Sequence, residues 1–281
     1  MPEPPRSRQT RQLAKAALVR IVHAYGAVPE FVLLGGLVPD LLCTRSRTRH
    51  VGTTDIDVQV DLEIAHGSAS ATRLEAALRE AGFVPDSERA WRWRDDRAAG
   101  LVVKAEFLAD LDGAPSETTV YFDDCQDLAA VNLRGTGFVA RDWVIRQISI
   151  EVDGRSSTVD LRVAGLAGYL LAKTHAAHGR RATKDWYDIA YVHIYNDDGG
   201  PAAAARQLLE RFGPDLVGQT RTALDDLSAN FTDPSSQGAE AFAEIMLGLY
   251  PESDWDVLVN DAAAAAAAFV AALGPTSERQ P

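Results

Sequence analysis

Residues 31–60 read FVLLGGLVPDLLCTRSRTRHVGTTDIDVQV, and the fold turns on how this stretch is read. FVLLGG has the apolar run of a short buried strand ending on two glycines. LVPDLLC predicts a helix, since proline is tolerated in a first turn, where its missing N–H leaves nothing unpaired. After the polar loop TRSRTRHVG comes TTDIDVQVDLEI, which is rich in β-branched residues, alternates with period two and predicts a second strand. Alternation sets Asp55 and Asp57 on one face, about 6.6 Å apart along the chain, and turns Ile56 and Val58 toward a core. Two carboxylates at that distance repel by roughly 2–3 kcal/mol at an effective dielectric of 20, so the pair calls for water or a cation.

The order of these parts carries more than any one of them. Acidic residues two apart arise about six times by chance in a chain with 40 acids among 281 residues. Asp110–Asp112 reads as a turn after a strand, and Asp254–Asp256 as a helix start. Asp55 and Asp57 differ in lying within a strand that follows a glycine turn. Gly35 and Gly36 allow bare backbone N–H groups to approach an anion. Mg²⁺ favours one or two carboxylates together with substrate phosphates, and strand–GG–helix–loop–strand–DxD offers both.

Outward from this stretch, Gln12–Tyr25 has helical apolar spacing, and Ala71–Ala81 predicts a helix closed by Gly82. Residues 89–94 and 101–109 predict paired strands around a DDRAAG turn, while 110–140 has no legible pattern. VIRQISIEVDGRSSTVDLRV predicts a hairpin turning at Asp153-Gly154. From residue 164 the periodicity is helical, with Thr183 expected to cap KDWYDIAYVHIY. The expected fold is therefore α/β in the α+β sense: a mixed sheet with flanking helices over 1–163, then a helical domain over 164–281.

Charge is unevenly spread. The formal total is −12, from 28 basic and 40 acidic residues. Residues 1–50 hold 8 basic against 3 acidic side chains, 51–196 hold 16 against 23, and 197–281 hold 4 against 14. Bulk acidity argues against a protein that coats nucleic acid, but it sits mainly at the C-terminal end and leaves a local basic cleft open. Two cysteines, Cys43 and Cys125, are too few for a disulfide framework or a cysteine-rich metal site. The polar N-terminus and an apolar run of only 12 residues, Ala262–Leu273, lead us to expect a cytoplasmic protein with no membrane partner.

FVLLGGLVPDLL…GTTDIDVQV resembles the signature of the polymerase-β-like nucleotidyltransferase superfamily, in which a GS or GG turn precedes a strand bearing DxD. LLAKTHAAHGRRATKDWYDIAYV is similar to the lysine-then-RDxxDI segment of its AbiEii/MenT-like toxin subgroup. The resemblance covers about 31–60 and 164–195. It implies an NTP substrate whose triphosphate lies on Gly35 and Gly36, and Mg²⁺ held by Asp55 and Asp57. It also implies that Lys173 neutralises phosphate charge and that Asp185 is the acid of the last motif. Here the second turn residue is Gly36 rather than Ser, so a hydroxyl contact to phosphate is missing.

The resemblance also implies a third metal-facing acid on a neighbouring strand. Glu106 is the first candidate, sharing a face with Lys104, and Asp110 is the second. Arg45, Arg47 and Arg49 in the loop, with Arg180, Arg181 and Lys184 near the second motif, would form a basic mouth for an acceptor such as a tRNA 3′ end. An antitoxin protein is the partner that the subgroup implies. A nucleotidyltransferase acting on an antibiotic or metabolite and a non-catalytic nucleotide-binding module are the alternatives left open. His175 and His178 have a metal-ligand spacing without the cluster to complete it. Trp91 and Trp93 are explained as well by one-face packing as by base stacking. Asp188 is expected to orient Lys184 or Arg181.

Overall fold

The structure is a computed structural model describing residues 8–51, 55–59, 68–97, 102–152 and 155–274; side chains at 8–9, 55–59, 68–69, 152 and 155 lie outside the description. The chain is mixed α/β with a helical C-terminal half. It divides into two compact units, Met1–Leu41 with Val51–Ala172, and Leu42–His50 with Lys173–Pro281. The strand pattern ends at Ala164, near the boundary expected at 163/164, whereas the units divide at 172/173. Residues 42–50, the end of the expected LVPDLLC helix and most of the loop after it, group with the C-terminal helices rather than the N-terminal domain.

The first unit is built on one sheet. Its strands are β1 (Val32–Leu34), β2 (Asp55–Gln59), β3 (Val84–Pro85), β4 (Arg92–Asp95), β5 (Val103–Ala109), β6 (Thr119–Tyr121), β7 (Ala129–Asn132), β8 (Trp143–Val152) and β9 (Arg155–Ala164). The order is β3-β4-β5-β2-β1-β9-β8, with β7 added to β5 and β6 to β7. β1/β9, β2/β5 and β5/β7 run parallel, and the remaining pairs antiparallel. β8 and β9 form the expected ten-residue hairpin, whose turn at 153–154 lies outside the described residues.

Helix α1 (Arg8–Tyr25) buries Ala17, Leu18, Ile21 and Val22 of the expected apolar stripe together with Ala14, while Leu13 is half-buried. Helix α3 (Ser68–Glu80) ends as its sequence requires. Gly82 takes φ +83°, the Gly82 N–H donates to the Arg79 carbonyl and the Phe83 N–H to the Leu78 carbonyl. With Phe83 and Leu78 both buried, this is a glycine stop with its hydrophobic clasp.

The illegible region 110–140 is held by side chains that cap backbone at a distance. Glu75 on α3 is buried and accepts from the backbone N–H groups of Gln126, Asp127 and Leu128. Fully buried Asn132 donates to the Ala114 and Pro115 carbonyls and accepts from Leu111 N–H. Short strands β6 and β7 and helix α4 (Gly137–Arg141) therefore depend on distant partners. Cys125 lies here with its thiol pushed up to about 11, chiefly by burial, and Cys43 is buried; neither is in a disulfide.

The helices of the second half are α5 (Leu166–Arg180), α6 (Thr183–Tyr195), α7 (Pro201–Phe212), α8 (Gly218–Ala229), α9 (Gln237–Leu249) and α10 (Trp255–Leu273). Within the second unit α6 is the core helix, buried without a break from Asp185 to His193. Tyr187 stacks on Phe242 of α9 at 5.9 Å, and His193 on Phe269 of α10 at 4.3 Å. Ala182 occupies the N-cap of α6 with no side-chain bond, so Thr183 is its first helical residue, not its cap. Asp254 caps α10, accepting from Asp256 and Val257 N–H, in line with the helix start read there. By length and composition α10 could cross a membrane, yet Leu258, Val259, Ala262, Ala266 and Phe269 are buried in the unit.

His193 has a measurable consequence. It is wholly buried, neither ring nitrogen has a hydrogen-bond partner among the described residues, and burial drives its pKa down to about 3. The unfolded chain binds the proton near pH 6.5 and the folded chain does not. Stability is therefore complete above pH 6.5 and falls by up to roughly 1.4 kcal/mol per pH unit below it. Urea midpoints should show about 2 kcal/mol lost between pH 7 and 5 from this residue, a loss absent in His193→Leu.

Candidate active site

In the first unit the site begins where β1 stops. Gly35 takes φ +79°, a left-handed conformation that other residues adopt only with strain, and opens a 3₁₀ turn, Gly35–Leu37, in which the Val38 N–H donates to the Gly35 carbonyl. Gly35 and Gly36 are both buried. A four-residue helix, α2 (Pro39–Leu42), follows.

β2 runs antiparallel to β1 with Leu34 opposite Asp57, so the glycine turn and the DxD strand are direct neighbours. The side chains of Asp55 and Asp57 lie outside the described residues, but their backbone register does not. β2 pairs parallel with β5, Asp55 opposite Lys104 and Asp57 opposite Glu106. β5 in turn pairs with β4, Lys104 opposite Arg94 and Glu106 opposite Arg92. In backbone register Glu106 thus stands between Asp57 and Arg92, and Lys104 between Asp55 and Arg94.

The partner of Glu106 is Arg92, not Lys104. Arg92 Nε donates to Glu106 Oε1 at 2.7 Å and its Nη2 engages the same oxygen. The guanidinium thus grips a single oxygen of a half-buried carboxylate. Asp110 is a capping acid: it accepts from Gly135 N–H at 2.8 Å and Gly137 N–H at 3.1 Å at the start of α4. That role explains why it belongs to the turn and not to the strand ladder. Glu106 is thus the described carboxylate on the strand that pairs with β2. Trp93 is fully buried beneath Arg79, which removes it as a base-stacking surface.

The second constellation lies wholly within the helical unit. Lys173, with only 7% of its side chain exposed, meets Asp185 Oδ1 at 3.1 Å and Asp188 Oδ2 at 2.7 Å. Arg180 closes on Asp185 from the surface, Nε to Oδ2 at 2.6 Å and Nη2 to Oδ1 at 2.8 Å. Burial works against the Lys173 charge, but Asp188 and Asp185 outweigh it and hold its pKa above the ordinary lysine value. Burial likewise opposes ionisation of Asp185, and Lys173 and Arg180 more than reverse this. Two formal cations thus face two carboxylates. The Lys173 ammonium, expected at a phosphate, is engaged with both acids in this structure.

Asp188 is the hub that the sequence did not reveal. Its Oδ1 lies 2.9 Å from His50 Nε2; a carboxylate accepts, so that nitrogen carries the hydrogen. His50 is buried against the rings of Tyr187 and Tyr191, at 5.0 and 4.9 Å. Arg181 pairs instead with Asp226, as does His178, and His175 meets Thr220. The expectation that Asp188 orients Lys184 or Arg181 is replaced by contacts with His50 and Lys173. One signal could have exposed it: Asp185, Asp188 and Tyr191 recur every three residues on an otherwise apolar helix, a polar seam that must be answered from outside.

The answer is the segment 44–50, a strap laid along α6. Asp197, just past the C-terminal end of the helix, accepts from the Thr44 hydroxyl at 2.6 Å and from the backbone N–H groups of Thr44 and Arg45, both at 2.9 Å. The Tyr191 hydroxyl donates to the Thr48 carbonyl at 2.7 Å, and Arg49 N–H donates to the Tyr250 hydroxyl at 2.8 Å. The strap runs opposite to the helix, from Asp197 back to Asp188. Along it Arg45, Arg47 and Arg49 are exposed, while Ser46, Thr48 and His50 turn inward. Arg180 and Arg181 are exposed on the same unit and Lys184 is half-buried. No family model, curated protein or solved structure matches the chain.

Proposed function

We propose that this chain is a Mg²⁺-dependent nucleotidyltransferase of the polymerase-β-like type, transferring a nucleotide from an NTP to an acceptor hydroxyl. The observation that carries the reading is the register of β1, β2 and β5. It sets a left-handed glycine turn beside the DxD strand and Glu106 opposite Asp57. Backbone groups at Gly35 and Gly36 suit the triphosphate. Asp55 and Asp57 hold the cation, with Glu106, steadied by Arg92, as the third acid. When bound, Mg²⁺ neutralises the phosphates and the charge developing on the leaving pyrophosphate. The acceptor oxygen forms its bond to the α-phosphorus as the bond to the β-phosphate bridge breaks, and Glu106, on the strand beside Asp57, would take the hydroxyl proton.

The acceptor we favour is an RNA 3′ end. Its support is the arginine strap, three exposed guanidiniums on every second residue, fixed by hydrogen bonds rather than left as a free loop. Incubation with each labelled NTP, Mg²⁺ and total RNA should yield labelled RNA. No transfer from any NTP would overturn the reading. Replacing Arg45, Arg47 and Arg49 together by Gln should weaken RNA binding by roughly 10²-fold at low salt, less at high salt, and leave NTP binding intact. Equal loss for both ligands would remove RNA as the acceptor.

A further inference from the structure

The role of His50 is not contained in the reading above. It comes from the strap and yet ends against the acid that holds the buried lysine. Asp188 divides its two oxygens, Oδ1 toward His50 at 2.9 Å and Oδ2 toward Lys173 at 2.7 Å. A carboxylate is planar and rigid, so fixing one oxygen fixes the direction of the other. His50 is itself held between the Tyr187 and Tyr191 rings and is 1% exposed, which leaves little freedom to pass on. Lys173 has a long flexible stem, and in a half-anchored site its ammonium would sample several positions; a catalytic group displaced by about 1 Å can lose 10²-fold in rate.

We propose that His50 is a positioning residue for Lys173, acting through Asp188, and that the same contact seats the arginine strap on α6. One imidazole would then set both the buried cation and the exposed ones, so the acceptor face and the lysine keep a fixed relation within the helical unit. His50 touches no substrate in this scheme. It holds Asp188, and Asp188 holds Lys173.

For its activity readout the inference rests on the nucleotidyltransferase reading, so the test has a second arm that does not. His50→Phe keeps the ring between the tyrosines and removes the hydrogen bond; His50→Gln restores a donor at similar reach. With both variants melting near the wild type, kcat for nucleotide transfer should fall about tenfold in His50→Phe, with KM for the NTP within twofold, and recover in His50→Gln. In parallel, limited acetylation with acetic anhydride, read by mass spectrometry, should label Lys173 at least about tenfold faster in His50→Phe. Labelling of half-buried Lys184 should stay unchanged, and His50→Gln should return Lys173 to the wild-type rate. Lys173 labelling and kcat both unchanged in His50→Phe would overturn the proposal, as would failure of His50→Gln to rescue either. Should the wild type transfer nothing, the functional reading fails by itself and the acetylation rates alone decide the role of His50.

Discussion

Asp57→Asn should lower nucleotide transfer by about 10³-fold or more while the melting temperature stays within about 2 °C of the wild type. The argument begins with size: asparagine fills the same volume, so the β2 register with β1 and β5 survives. What changes is charge. If Asp55 and Asp57 hold the cation as proposed, removing one carboxylate leaves β2 a single full charge for it, Asp55. A loss of 10³ corresponds to roughly 4 kcal/mol of transition-state stabilisation, a scale that metal-assisted charge neutralisation readily supplies. Unfolding should not follow, since the substitution relieves repulsion between two acids about 6.6 Å apart. Steady-state transfer with matched melting curves decides the matter. Transfer undiminished in Asp57→Asn would exclude the DxD strand as the cation site.

The largest effect on stability should come from Lys173→Met, which we expect to cost about 3–5 kcal/mol. Methionine suits the volume of the lysine stem, so the loss is electrostatic. Asp185 keeps Arg180 and Asp188 keeps His50 at its Oδ1, but the Asp188 Oδ2 then faces a thioether in place of an ammonium. A buried carboxylate stripped of its cation resists ionisation, and its pKa in the folded variant rises above the unfolded value. The variant should therefore regain stability as pH falls, the reverse of the His193 effect. Adding Asp188→Asn should recover much of the loss, because the uncompensated charge is then gone. Urea denaturation at pH 5.5 and 8 checks all three expectations. A single variant as stable as the wild type at pH 8 would mean that the lysine–carboxylate cluster contributes no net support.

How much of this was legible from residues 1–281 depended on the range of the forces involved. The DxD strand, the 143–164 hairpin and the glycine stop at Gly82 are written in alternation, β-branching and local backbone demands, and all three are present. Residues 110–140 were illegible because Glu75 and Asn132 supply from afar the hydrogen bonds that a longer strand would supply itself. Glu106 was placed on its strand beside Lys104, but alternation along one strand cannot show that Arg92 stands across the ladder. The helical constellation was half visible. Lys173 and Asp185 stand out by motif; Asp188 becomes meaningful only with His50, 138 residues away.

That distance has a consequence in time. The strap 44–50 leaves the ribosome early, but Asp188, Tyr191, Asp197 and Tyr250, which bind it, follow 138 to 201 residues later. At 5–20 residues per second the strap waits roughly 10–40 s for its helices. For the first part of that interval β8 and β9, which end at Val152 and Ala164, are also still unmade. Final assembly must thread an early segment onto late helices, a non-local closure of the kind that makes folding slow. The helical half, expressed as a contiguous piece, would lack one of its own parts.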